Sequence, residues 1–193
     1  IFLDQHEVRD GLVNGLALGK SVLNMFSYTA AFSVAAAMGG AVETTSVDLA
    51  KRSRELSTAH FEANGFSMDN HRLVVMDVFD YFKYAKKKGL SYDLIVIDPP
   101  SFARNKKRTF SANKDYHKLI AQSLDILSEH GTIIASTNAA NMTVQQFKKQ
   151  LRKGLGDVSA DFVNLQQLPA DFTVNPNDPT SNYLKVYTIK VNK

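Results

Sequence analysis

The stretch YDLIVIDPPSFARNKK, residues 92–107, decides how this chain folds. An apolar run, DLIVID (93–98), ends on Asp98; Pro99 and Pro100 follow, then Ser101, Phe102 and a run of bases. A strand that is apolar at nearly every position is covered on both faces, which is the situation inside a parallel sheet. Proline fixes φ and has no N–H, so residues 99–100 form a stiff wall where the strand stops.

Outward from this point, strand-like runs alternate with helical ones. SVLNMFS (21–27) reads as a first strand and AAFSVAAAM (30–38) as the helix after it. VETTSVD (42–48) is a second strand, followed by a helix over 49–64 that Asn64-Gly65 stops. RLVVMDV (72–78) is a third strand, with a helix over 79–89 ending at Gly89. After the fourth strand (93–98) come a helix over 113–131, a fifth strand TIIAST (132–137) and a helix over 143–155. Two last strands, near 161–168 and 183–191, have no helix between them and read as an antiparallel edge hairpin. Their connection, residues 169–182, is polar, proline-rich and long enough to suggest a role in function. The first twenty residues read as one amphipathic helix, with Val8, Leu12 and Leu16 four apart; Asp4, Gln5, His6 and Arg9 at its start read as capping and solvation. The pattern as a whole predicts an α/β fold with right-handed crossovers, a mostly parallel open sheet and an antiparallel C-terminal hairpin.

The 193 residues, 44% hydrophobic, fit one domain able to bury about 70% of the surface its unfolded chain exposes. There is no cysteine, hence no disulfide framework and no cysteine metal site, which suits a reducing cytoplasm. No apolar run reaches the roughly 18 residues a membrane span needs. A net charge of +4 favours an anionic partner such as RNA only mildly. The first residue is Ile1 rather than Met, so the chain is expected to be part of something longer.

In an open α/β sheet, ligands sit beyond the carboxyl ends of the strands, where strand order reverses. Three successive strands end there on an acid: Asp48, Asp77 and Asp98. Helix capping accounts for Asp48 and Asp77 as readily as ligand binding does. It accounts poorly for Asp98, which prolines follow. Asp48 lies 20 residues beyond Tyr28, the separation at which an acid in such folds reaches a ribose diol. An acid ending the third strand could take the exocyclic amine of an adenine. The first turn, FSYTAAF (26–32), has no GxGxxG to cradle a pyrophosphate. An adenosine compound without phosphates therefore fits, and S-adenosyl-L-methionine is the obvious one. Its cationic end would suit Asp98. Phe102 could stack on an unpaired base, and Arg104, Lys106, Lys107 and Arg108 could contact phosphates. No metal is expected.

VLNMFSYTAAFSVAAAMGGA (22–41), SVDLAKRS (46–53), FEANG (61–65), MDVFDYF (76–82) and the stretch over 92–107 together resemble the class I S-adenosylmethionine-dependent methyltransferases of large-subunit (23S) ribosomal RNA, in the group that carries an N-terminal PUA RNA-binding domain. The resemblance implies a Rossmann-like, seven-stranded sheet with a reversed last strand. It implies one catalytic domain over 1–193, a leading helix over 1–19 and a PUA domain outside this chain. It further implies that Phe26, Ser27, Tyr28, Thr29, Ala30 and Ala31 line the cofactor. Asp48 with Leu49 would hold the ribose, Asp77 and Val78 the adenine, and Asp98 the methionine end. Pro99, Pro100, Phe102 and Asn138 would position the base. Ribosomal RNA would be the partner, the compartment cytoplasmic, and the oligomeric state is left open, a dimer included.

The chain departs from the family pattern in three places. The turn usually reads YTGGF, where Ala30 and Ala31 stand here; FLDQR becomes FLDQH, with His6; and the place of the cysteine of 5-methylcytosine-forming members reads STNAAN (136–141). Without a thiolate, direct transfer to a base is expected, a ring nitrogen such as guanine N7 being the natural acceptor. A methyltransferase of proteins or small molecules, a non-catalytic binder of RNA or cofactor, and a nicotinamide oxidoreductase are the rival readings.

Overall fold

Central strands that alternate their side chains between two covered faces define the architecture. In Ser21–Met25 (β1), Leu23 and Met25 enter one core and Val22 the other. In Tyr92–Ile97 (β4), Ile95 and Ile97 share the first core while Leu94 and Val96 share the second. This two-residue period places apolar atoms on both sides of the sheet and requires helices over each face. The coordinates are a computed structural model and describe residues 2–104 and 109–193.

The other strands are Glu43–Asp48 (β2), His71–Val75 (β3), Phe102–Arg104 (β5), Thr109–Ser111 (β6), Leu127–Thr137 (β7), Ser159–Gln166 (β8) and Lys185–Asn192 (β9). The helices are His6–Gly11 (α1), Ala31–Met38 (α2), Lys51–Ala63 (α3), Val78–Lys88 (α4), Ala112–Leu124 (α5) and Val144–Leu155 (α6). The main sheet has seven strands in the order β3-β2-β1-β4-β7-β9-β8. Its first five are parallel; β9 runs antiparallel to β7, and β8 to β9. The expected Rossmann-like sheet with a reversed C-terminal hairpin is what the chain forms. β1 lies between β2 and β4, so strand order reverses there, and a crevice opens above their carboxyl ends.

Local chemistry sets the helix ends. Asp77 caps α4 by accepting from Phe79 N and Asp80 N, and Gly89 closes it at φ 66°. Thr143 and Gln146 form a reciprocal capping box at the start of α6. The small Gly154 lets α6 lie close to α5: a methyl there would stand 2.5 Å from Ile120 Cβ and 2.6 Å from the His117 carbonyl.

Four expectations are corrected. The first twenty residues form a 3₁₀ turn (Leu3–Gln5), α1 and a π-type turn (Leu12–Leu16), because Gly15 at φ 112° breaks the helix. The helix over 113–131 ends at Leu124, and β7 begins at Leu127 rather than 132. β3 ends at Val75, so Asp77 stands at a helix cap two residues beyond the strand. Asp4 and Gln5 are not solvated: they are 9% and 4% exposed.

Candidate active site

The crevice holds a cavity of about 570 Å³, within the roughly 300–1,000 Å³ of ligand pockets. Its floor is the turn after β1. Phe26, Tyr28 and Ala30 all have positive φ, of 60°, 48° and 58°. Left-handed backbone at non-glycine residues costs about 1–2 kcal/mol each and persists only where the surroundings enforce it. Here α3 enforces it: Ser57 Oγ donates to the Tyr28 carbonyl at 3.2 Å, and His60 Nδ1 to the Thr29 carbonyl at 2.8 Å.

Asp48, at the end of β2, fastens the same turn. Its two oxygens accept from Tyr28 N at 2.9 Å and Ala50 N at 2.8 Å. Each carboxylate oxygen has two lone pairs, so both can accept again from a ligand. Phe26, Ser27, Tyr28, Thr29, Leu49, Asp77 and Val78 line this half of the cavity. Ala30 does not: its side chain is fully buried against Val34, Ala37 and Phe61, while Ala31 takes the place at the wall. Of the two methyls at the family's glycine positions, one therefore points away from the ligand space.

The other half is built around Asp98. Gln5 Nε2 donates to its Oδ2 at 2.9 Å and Ser136 Oγ to its Oδ1 at 2.7 Å. Burial raises the carboxyl above its ordinary 3.8, with the neighbouring Asp4 adding to the rise and the two donors opposing it. Beneath it, the buried Tyr116 hydroxyl spans the carbonyls of Ile97 (2.9 Å) and Ser136 (2.8 Å), fixing the ends of β4 and β7 together. Pro99, Pro100, Arg104 and Asn138 complete the wall. Ser101 Oγ donates to Asn138 Oδ1 at 2.8 Å. The buried Lys185 ammonium pins the following turn through the carbonyls of Ala139 (2.9 Å) and Met142 (2.7 Å). Phe102 lies outside the lining, 62% exposed on the β5–β6 hairpin. Lys106, Lys107 and Arg108 lie outside the described residues.

Sequence reading missed Phe2, Asp4, Gln5 and Arg9, which also line the cavity. The ring centroids of Phe2 and Tyr28 stand 6.1 Å apart, so an aromatic pair flanks the mouth. The family motif FLDQ marks this stretch without saying what it does; the partners of Asp4 and Gln5 are Tyr183, Asp98 and Ser136, far along the chain. His6, in place of the family's arginine, bonds Asp171 of the long connection at 3.2 Å, and this contact raises its pKa.

Among the described residues no cluster of His, Cys, Asp or Glu could hold a metal, and no helix is long and apolar enough to cross a membrane. The crevice at the strand-order reversal, with acids at the ends of β2 and β4 and a first turn that lacks GxGxxG, is the candidate cofactor site. The chain belongs to the S-adenosylmethionine-dependent methyltransferase family, whose model matches residues 1–185, and its cofactor is S-adenosylmethionine. The protein named "Putative ribosomal RNA large subunit methyltransferase YwbD" of Bacillus subtilis (strain 168) is 47% identical over 192 residues, 98% of this chain and 48% of that protein. Ribosomal RNA large subunit methyltransferase I of Serratia proteamaculans is 31% identical over 192 residues, again 98% and 48%. The crystal structure of SMU.776 complexed with SAH superposes with a TM-score of 0.96 at 72% identity, covering 99% of this chain and 50% of that one. The chain thus spans about half the length of the relatives it matches.

Proposed function

We propose that this chain is the catalytic domain of an enzyme that methylates a base of large-subunit ribosomal RNA by direct displacement. The observation that carries the reading is the convergence of Asp48, Asp98 and Asn138 on one cavity at the sheet's reversal point, in a chain so similar to proteins named for that substrate. S-adenosylmethionine supplies a methyl group made electrophilic by a sulfonium.

The residues divide the work by position. Asp48 accepts from the ribose hydroxyls, and the turn it fastens walls that end of the site with Leu49. Asp77 and Val78 bound the adenine end, and Asp98 meets the charged methionine end. Pro99 and Pro100 present a surface with fixed φ and no N–H, so their carbonyls are free to face an incoming base. Asn138, held by Ser101, gives that base a polar partner. No side chain acts as nucleophile: none of the 193 residues is cysteine, and the hydroxyls of Ser136 and Thr137 are far weaker nucleophiles than a thiolate. A ring nitrogen such as guanine N7 already carries the lone pair that forms the new bond. The protein's contribution is placement, which can remove roughly 7–11 kcal/mol from a barrier.

Phe102 and the bases that follow it are assigned to the RNA strand. The full protein, on this reading, carries a separate N-terminal RNA-binding domain of PUA type and works in the cytoplasm. The test is mass spectrometry of nucleosides from ribosomal RNA lacking the modification, after incubation with the full-length protein and labelled cofactor. A base methylated on a ring nitrogen is expected; 5-methylcytosine overturns direct displacement, and methyl transfer to protein alone overturns the substrate.

A further inference from the structure

The excess positive charge of this chain is that of one helix. Of the 23 lysines and arginines, four stand on α6 (Lys148, Lys149, Arg152 and Lys153), and α6 has no acid. The other 19 are matched in number by 19 aspartates and glutamates, so the net +4 equals the charge of α6 alone. The apolar side of the helix, Phe147, Leu151 and Leu155, is buried in the core. Lys149, Arg152 and Lys153 are exposed on its outer side. Among the described residues no acid lies within 4.0 Å of any of the four cations, whereas Lys86 on α4 pairs with Asp125 at 3.0 Å and Lys118 on α5 with Asp115 at 2.7 Å.

Helix chemistry does not account for this clustering. The macrodipole favours cations in the last turn, which covers Arg152 and Lys153 but not Lys148 and Lys149. Lys148 with Arg152, and Lys149 with Lys153, are each four apart, a spacing at which like charges destabilise a helix. Two of the four are held in place: Lys148 Nζ lies 5.0 Å from the centre of the Phe162 ring and the Arg152 guanidinium 5.8 Å from it. A ring face orients a cation without neutralising it. The helix is also fixed relative to the cavity. Asn138 lines the cavity, and the turn after it is closed by Met142 N donating to the Ala139 carbonyl at 3.0 Å and by the Lys185 ammonium. Thr143 caps α6 directly beyond that turn. Lys149 and Lys153 then stand about 8 Å and 14 Å along the axis from Val144.

We propose that the outer face of α6 is a docking surface for the RNA backbone, with Lys149 and Lys153 on phosphates of the strand that leads away from the methylated base. This rests on the reading of RNA as the substrate and adds to it the path of the strand. Lysines contact phosphates as point charges, so the surface positions the RNA and reads no sequence. An anionic membrane fits it poorly: a helix that binds a bilayer surface sinks an apolar face into it, and the apolar face of α6 is already in the core.

The experiment measures binding of the full-length protein to protein-free large-subunit ribosomal RNA over a range of salt concentrations. The test variant carries Lys149→Gln and Lys153→Gln. The control carries Lys87→Gln and Lys88→Gln, the same change of charge at exposed positions where α4 ends, α4 having begun at Asp77 on the cavity. The α6 variant is expected to bind about tenfold or more weakly at 0.1 M salt and to lose about two ions from the salt dependence. Its KM for RNA should rise by a similar factor with kcat within about twofold, since only binding is lost. Melting temperature and S-adenosylhomocysteine affinity should not change, and the α4 variant should stay within about twofold of wild type in RNA binding. Equal losses in the two variants would make the effect one of net charge and overturn the proposal, as would wild-type RNA binding by the α6 variant. Vesicles of phosphatidylglycerol and phosphatidylcholine that bind the wild type but not the α6 variant, with RNA binding intact in both, would assign the surface to a membrane instead. A wild type with no salt-dependent affinity for ribosomal RNA would remove the substrate reading as well, whereas a wild type that methylates the RNA while the α6 variant does so with unchanged KM overturns this proposal alone.

Discussion

Gln5 and Asp98, 93 positions apart, are joined by a 2.9 Å hydrogen bond. The N-terminal 3₁₀ turn is thereby part of the site built at the end of β4, and the state of Asp98 depends on a residue outside the sheet. Both donors to this carboxylate hold its pKa down against burial and against Asp4; Tyr116, packed below, is neutral through the same range because burial raises its hydroxyl well above 10.0. A cation binding beside Asp98 favours its charged form and releases whatever proton it holds. Affinity for S-adenosylhomocysteine is thus expected to rise as pH increases through the raised Asp98 value and to fall below it. Ser136→Ala removes a donor and should move that fall to higher pH. Calorimetry at several pH values, in buffers of different ionisation enthalpy, reads both the affinity and the proton released. A pH-independent affinity across the acid range would remove the coupling. The same group has the opposite effect on the empty fold: the folded state holds the proton more tightly than the unfolded chain, so its contribution to stability declines as pH rises from 3.8 toward the raised value.

Asp48 serves the backbone and the proposed ligand at once, through Tyr28 N and Ala50 N. Asp48→Ala should weaken S-adenosylhomocysteine binding by about 1.5–3 kcal/mol, the scale of hydrogen bonds to a charged group. It should also loosen the turn, lowering the melting temperature. Unchanged affinity in a folded variant rules out the ribose role.

Ala30 tests whether the left-handed turn is stored strain. Ala30→Gly removes about 1–2 kcal/mol of steric cost. It also loses about 0.8 kcal/mol of buried methyl and about 0.4–1 kcal/mol through a freer unfolded chain. These oppose one another, so stability should change by less than about 1 kcal/mol. Ala30→Val, a β-branched side chain at φ 58° in a filled cluster, should destabilise strongly. Denaturant unfolding distinguishes the two, and a tolerant Ala30→Val would show that the turn relaxes.

The sheet was legible because β1 and β4 are buried on both faces and leave largely apolar runs with sharp ends, while β2, buried but mostly polar, is marked by its β-branched Thr44, Thr45 and Val47. The errors lie where local pattern and tertiary packing compete. Ile126 and Leu127 continue the apolar pattern of α5, and Gly131 imitates a helix stop. In the fold, Gly131 instead lies against the Leu127 side chain, where a methyl would stand 2.4 Å from it. The β5–β6 hairpin has only three residues per strand, too few for a period to show. Asp48 and Asp98 could be read as site residues because strand ends converge by topology. Asp4 and Gln5 sit in the FLDQ motif that the family resemblance picks out, but residue chemistry alone reads them as capping and solvation, since their contacts with Ser136, Asp98 and Tyr183 are ones no short-range pattern encodes.

The β5–β6 hairpin makes the last prediction. Phe102 projects a ring that is 62% exposed, while Ala103 and Arg104, next along the strand, reach the cavity wall. An exposed ring beside the proposed cofactor cavity is placed to stack on an unpaired base as it enters, a contact worth about 1–3 kcal/mol. Removing it leaves little behind in the fold, since the ring is mostly in solvent. Phe102→Ala is therefore expected to lower kcat/KM for ribosomal RNA by about ten- to a hundredfold with melting temperature and S-adenosylhomocysteine affinity unchanged. Phe102→Tyr or Phe102→Leu separates stacking from bulk: tyrosine should restore most of the rate and leucine little. Arg104, a charge rather than a ring, should act differently, and Arg104→Ala should weaken RNA binding while reducing its dependence on salt by about one ion. Full activity of Phe102→Ala on ribosomal RNA would return the ring to the status of an ordinary exposed side chain and remove the hairpin from the RNA path.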